Sequence, residues 1–137
     1  MPGLDQQDYE RLLAFRTGLR RFLYWSAQQA EAAGITPAQH QLLLAVRGHP
    51  DPRGPTIGEI AGYLLVRHHS AVELIDRAVT AGLVARQADS EDGRTVRIAL
   101  TDRGRERLEK LAASHLEELA RLTNRMHILW AGLDAEA

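Results

Sequence analysis

The stretch from Gly82 to Gly104, GLVARQADSEDGRTVRIALTDRG, constrains this chain more than any other part of it. Between Arg94 and Leu100 the residues alternate, with Val96, Ile98 and Leu100 on one side and Arg97 and Ala99 on the other. A period of two marks a half-buried strand. Leu83 to Gln87 supply a partner strand, and Ala88 to Gly93 a polar loop whose glycine accepts a left-handed backbone. A two-stranded hairpin is marginal by itself in water, so this one must rest on helices.

The helices are legible on both sides of it. From about Asp5 to Ala33, Leu12, Phe15, Leu19, Phe22, Leu23 and Ser26 recur at three- and four-residue steps, until Gly34 breaks the pattern. Leu13, Tyr24, Trp25 and Ala27 widen the stripe past one face. A helix so apolar at a chain end has a second face to bury, and another copy of the chain is the expected partner. Thr36-Pro37-Ala38-Gln39 opens the next helix with a Thr cap, Pro at the first position and Gln at the third, and that helix stops near Arg47-Gly48. His49 to Pro55 compose a loop, and Thr56-Ile57-Gly58-Glu59 is a second capping box.

A brief turn at Leu65 and Val66 leads to a helix with Ala71, Leu74, Ile75, Ala78 and Val79 inside, ended by Gly82. Two short amphipathic helices across a tight turn fit a helix-turn-helix. Thr101 then caps a final helical region with Leu108, Leu111, Leu116, Leu119, Leu122, Met126 and Leu129, long enough that a break or bend is expected in it. The fold class is therefore mainly α with a small β-hairpin: a winged helix-turn-helix flanked by N- and C-terminal dimerisation helices. Residues 1–34 and 105–137 form the dimerisation layer and residues 35–104 the winged helix.

Composition excludes several functions. At 137 residues one domain is expected, and the absence of cysteine rules out disulfides and thiolate metal sites within the sequence. His40, His49, His115 and His127 show no i, i+4 ligand spacing, so no metal is expected. No nucleophile elbow, phosphate-binding glycine loop or metal-hydrolase motif occurs, so neither catalysis nor a cofactor is expected. No apolar run approaches the roughly 18–20 residues of a bilayer span and no signal peptide is visible, so a cytoplasmic protein away from membranes is expected.

With these residues in place, the chain resembles the MarR family of bacterial transcriptional regulators. The resemblance is carried by Thr36-Pro37-Ala38-Gln39-His40-Gln41-Leu42-Leu43, Ile57-Gly58-Glu59-Ile60-Ala61 and Leu74-Ile75-Asp76-Arg77. It continues through Gly82-Leu83-Val84-Ala85-Arg86, Asp92-Gly93-Arg94 and Leu100-Thr101-Asp102-Arg103-Gly104, all in order. It implies a ligand-responsive homodimeric repressor on a pseudo-palindromic double-stranded operator, with the recognition helix in the major groove and the wing toward the minor groove. A small aromatic or phenolic effector is implied between the dimerisation and DNA-binding parts, where Phe22, Tyr24 and Trp25 are candidates to line a pocket.

Within that frame Arg67, His68, His69, Ser70, Glu73 and Arg77 are the candidate DNA contacts, because Arg reaches guanine, Ser either base or phosphate, and Glu accepts from cytosine. Two positions depart from the family. Arg67 stands where members often have a Ser or Thr cap, at a cost of about 1 kcal/mol. Asp92-Gly93-Arg94 replaces an Asp-Arg-Arg wing tip, so Arg94 either reaches DNA or braces the wing through an acid such as Asp76 or Asp92, with bracing favoured. Arg86 faces the same choice. The formal charge of −1, and eight arginines against eight acids between His40 and Gly104, lack the basic excess usual in DNA binders. A winged-helix protein-interaction module without sequence-specific DNA binding is therefore the alternative.

Overall fold

A computed structural model describes residues 3–134, with side chains through residue 131. In chain order the elements are α1 (Gln6–Ala32), α2 (Pro37–Gly48), α3 (Ile57–Leu64), α4 (His68–Thr80), β1 (Val84–Ala88), β2 (Val96–Leu100) and α5 (Asp102–Asp134). Local capping fixes most starts. Thr36 Oγ1 accepts from the Gln39 amide (3.1 Å) while Gln39 returns an acceptor to the Thr36 amide (3.0 Å), and Thr56 with Glu59 repeats the exchange. Asp5 and Asp8 form a third such box at α1, which the sequence reading had not singled out. Each box satisfies amides that the first helical turn leaves without partners.

The core lies where α2, α3, α4, the hairpin and the start of α5 converge. Leu42, Leu43, Ile60, Ile75, Ala78 and Ile98 are fully buried, and Leu83, Val84, Leu108 and Leu111 close around them. A buried Leu or Ile contributes roughly 1.5–3 kcal/mol, so this cluster holds the winged helix together. Gly82 adopts φ +76, letting its own amide reach the Val79 carbonyl (3.0 Å) and the Leu83 amide reach Ala78 (2.9 Å) as the chain leaves α4. Thr101 links that exit to α5, donating to the Gly82 carbonyl (2.6 Å) and accepting from the Gly104 amide (3.0 Å).

The hairpin pairs antiparallel in the register Val84–Leu100, Arg86–Ile98, Ala88–Val96. Its second strand starts at Val96, not Arg94. The Asp92 carboxylate accepts from the Arg94 amide (3.0 Å) and the Thr95 hydroxyl (3.2 Å), which draws residues 94 and 95 into the turn. The outer edge of β2 is covered by the 49–55 loop: Ile98 N donates to Pro55 O (2.9 Å), and Thr56 bridges to Arg97. Gly54, at φ +90, sits so close to the Ile98 carbonyl that a Cβ would collide with it.

The expected break in the last helix is absent, since α5 runs as one helix from Asp102 to Asp134. Between Gly104 and Gly132 it contains neither Gly nor Pro, the residues that interrupt helices, and it is rich in Leu, Ala, Glu and Arg. α1 packs along α5, with Phe15 edge-on to Trp130 (6.3 Å between centroids) and Ser26 bonded to His115. Tyr9, Leu12, Leu13, Leu23 and Tyr24 of α1 and Leu116, Leu119 and Ile128 of α5 remain exposed. No helix among the described residues is long and apolar enough to cross a membrane.

Candidate nucleic-acid interface

The link between α3 and α4 is two residues and a cap. Leu65 takes the left-handed conformation (φ 56, ψ 42), and Val66 N donates back to Ala61 O (3.1 Å). Arg67 then stands at the N-cap of α4 with extended backbone and no side-chain cap bond. Ala71, Ile75 and Ala78 bury one face of α4 completely. The phase of the helix therefore turns His68, His69, Glu73, Asp76, Arg77 and Thr80 outward, with Ser70 half-buried beside them. An exposed helix start carrying Arg and two His, with its first amides unclaimed by a cap, favours an anion.

The balance of eight arginines and eight acids resolves in space. Seven of the acids are engaged by neighbours. Asp51 pairs with Arg53 (2.8 Å), Asp76 with Arg86, and Asp89 with Arg97 (3.1 Å). Glu91 lies 3.5 Å from Arg53, and Asp102 lies 3.1 Å from Arg105. Glu59 caps α3 and faces His49, and Asp92 accepts from the Arg94 amide and the Thr95 hydroxyl. Glu73 alone has no such partner among the described residues, whereas Arg47, Arg67, Arg77, Arg94 and Arg103 form no ion pair there. Of these unpaired cations Arg67 and Arg77 lie on α4 and Arg94 at the wing turn.

The wing is braced, but not through Arg94. That side chain is exposed and makes no ion pair among the described residues; only its backbone amide is used, by Asp92. Arg86 of β1 pairs with Asp76 of α4, and in the turn bracing falls to Arg97 and Arg53. Arg97 donates from Nε to Asp89 Oδ2 (3.1 Å) and from Nη1 to the Gly54 carbonyl (2.8 Å), and Arg53 reaches the other Asp89 oxygen (3.4 Å). The Glu91 amide, followed by Arg97 and Arg53, holds the Asp89 carboxyl below its ordinary pKa. Hydrogen bonds from the Arg53 side chain and amide do the same for Asp51. Sequence reading passed over this clamp because alternation put Arg97 on the solvent side of β2. The acid-flanked arginine in the HPDPRGP loop was the available signal.

At the junction of α1, α2 and α5 the structure gathers Phe22 and Trp25 around His115, with centroids 6.1 and 4.7 Å away. Tyr24 is not in this group and is 69% exposed. His40 from α2 stacks edge-on against His115 (4.7 Å). His115 Nδ1–H donates to Leu111 O (2.8 Å), so in the neutral ring Nε2 accepts from the Ser26 hydroxyl (2.7 Å). His40 Nδ1 is buried without a partner, and burial, aided by neighbouring His115, lowers the His40 pKa. A cavity of about 260 Å³ opens beside His40, Ser26, Leu23 and Pro37.

Residues 33–95 match the MarR family model. The chain is 29% identical over 121 residues to the HTH-type transcriptional repressor MdtR of Bacillus subtilis (strain 168), covering 88% of this chain and 76% of that one. The fold is that of AbsC, a MarR family transcriptional regulator from Streptomyces coelicolor (TM-score 0.73, 16% identity, 99% of this chain and 97% of that one). It is also that of an S. aureus MepR variant bound to an oligodeoxyribonucleotide (TM-score 0.65, 22% identity, 90% and 93%). Helix order and wing agree with the family match: residues 33–95 are similar to the MarR family, and the chain shares the fold of AbsC, a regulator of that family.

Proposed function

We propose that the protein is a sequence-specific DNA-binding transcriptional regulator that acts in the cytoplasm as a homodimeric repressor. The observation that carries this reading is the sorting of charge in the winged helix. Seven of its eight acids are engaged by backbone amides and neighbouring cations, Glu73 being the exception, while Arg67, His68, His69 and Arg77 on α4 and Arg94 at the wing are exposed toward phosphates and base edges. The exposed apolar side chains of α1 and α5 supply the surface for a second copy. MdtR is named a repressor, and the MepR variant is bound to an oligodeoxyribonucleotide, which supports the same use of this fold here.

The effector is a small aromatic or phenolic molecule that enters the cavity beside His40 and Ser26, between the dimerisation layer and the winged helix. Apolar Leu23, Ala27, Pro37 and Ala38 beside Ser26 and His40 line this cavity, which suits an aromatic ring with a polar substituent. Selection of duplexes from fragments of the source genome tests the reading. It should recover a two-fold sequence whose half-sites lie about one DNA turn apart, on the order of 10 base pairs. Recovery of no sequence above background would overturn it.

A further inference from the structure

Leu65 is the one non-glycine residue with positive φ among the described residues. It is also 91% exposed, the most of any large apolar side chain there. The left-handed turn closes α3 through backbone hydrogen bonds, Leu65 N to Gly62 O (3.4 Å) and Val66 N to Ala61 O (3.1 Å), a place that glycine or asparagine fills more easily, and the leucine side chain gains no burial there. The same short segment exposes Tyr63 (52%) and Val66 (41%). A large apolar side chain held outward by a fixed turn, beside two more exposed apolar residues, points to a surface completed by a partner.

The position of Leu65 names the partner. Arg67, His68 and His69 follow at once, and the nearest acid in sequence, Glu59, is held by the Thr56 amide and His49. The patch is therefore continuous with the cationic start of α4 and complements a polyanion that also offers apolar groups. DNA has this combination where deoxyribose C–H groups lie between phosphates along a groove edge. Building on the DNA-binding reading above, we infer that Leu65 is a DNA-contact residue that packs on deoxyribose at the edge of the groove entered by α4. Such a contact releases no counterion and reads no base.

Two duplexes test this: one recovered by selection with the wild-type protein, and one of the same composition in scrambled order. Each is titrated from 50 to 200 mM salt with wild type, Leu65→Asn, Leu65→Gly and Leu65→Met. Asn and Gly suit the left-handed turn, so their Tm should equal or exceed that of wild type. Both should bind about fivefold or more weakly to both duplexes, with an unchanged slope of log affinity against log salt, and Leu65→Met should stay within about twofold of wild type. Wild-type affinity in Leu65→Gly would overturn the inference, and so would a loss confined to the selected duplex, which would mark a base contact. Unchanged DNA binding with altered self-association would reassign the patch to a second copy. A wild type that binds neither duplex would overturn the DNA reading itself, and the Leu65 contact with it.

Discussion

Arg97 and Asp89 join the two arms of the wing at its turn end, Nε to Oδ2 at 3.1 Å, with both side chains largely buried and Arg97 also bonded to the Gly54 carbonyl. The pair ties the wing turn to the loop after α2. The hairpin thus leans on the helical body through charge as well as through Ile98.

Replacing Arg97 with Ala should free the wing while leaving α5 intact. Loss of its charged hydrogen bonds should speed amide exchange at Asp89 and Ile98 by about tenfold. These amides donate to Thr95 and Pro55 respectively. Exchange by NMR or mass spectrometry reads the effect; unchanged protection there would show that Arg53 alone suffices.

Gly104 should tolerate no side chain. A Cβ at this position would collide with the Leu83 carbonyl and press on Leu43, in the centre of the core. Gly104→Ala should cost about 1–3 kcal/mol in denaturant unfolding, as overpacking does. Gly62→Ala in α3, where a Cβ meets nothing within 4 Å, should instead be neutral or stabilise by up to about 1 kcal/mol.

His40 gives stability a pH dependence of definite sign. Its folded pKa lies below 6.5, so around and below that value the unfolded chain binds more protons. Stability should be full above about pH 6.5 and fall as the pH drops through the folded value. The lowered carboxyls of Asp89, Asp51 and Glu59 act in the same direction lower down, as the pH falls through the ordinary carboxylate range and below it. Denaturant unfolding from pH 8 to 5 should show the first decline in wild type and a flatter profile in His40→Leu. Identical profiles would show that His40 binds protons equally in the folded and unfolded states across this range.

The helix-turn-helix and the hairpin were open to sequence reading because each is written locally, in capping boxes at Thr36 and Thr56, in the i, i+4 set from Ala71 to Val79, and in the alternation of β2. The clamp was not legible, because Arg97 finds its partners 8 and 43 residues away, at Asp89 and Gly54. Alternation reports which side a residue faces and is silent about a loop folded over that side. Arg94 misled for a related reason: its neighbour Asp92 does contact residue 94, but through the backbone. Length alone led to the expected break in α5, where the lack of interior Gly and Pro was the better guide.

Dimerisation should depend on the outer face of α1 and α5. Leu116 is exposed on α5, and a charge there would face apolar side chains of a second copy. Leu116→Glu should halve the mass measured by sedimentation at micromolar concentration and keep the helical circular dichroism of the wild type. A wild type that sediments as a monomer would contradict the two-copy arrangement.

If the start of α4 reads DNA, Arg67 at its N-cap should carry part of the base preference. Binding of wild type and Arg67→Ala is measured on the selected duplex and on its scrambled counterpart at matched salt. Arg67→Ala should lose about 1–3 kcal/mol on the selected duplex and less on the scrambled one, so that the preference narrows. An Arg67→Ala protein that keeps the full wild-type preference would contradict it.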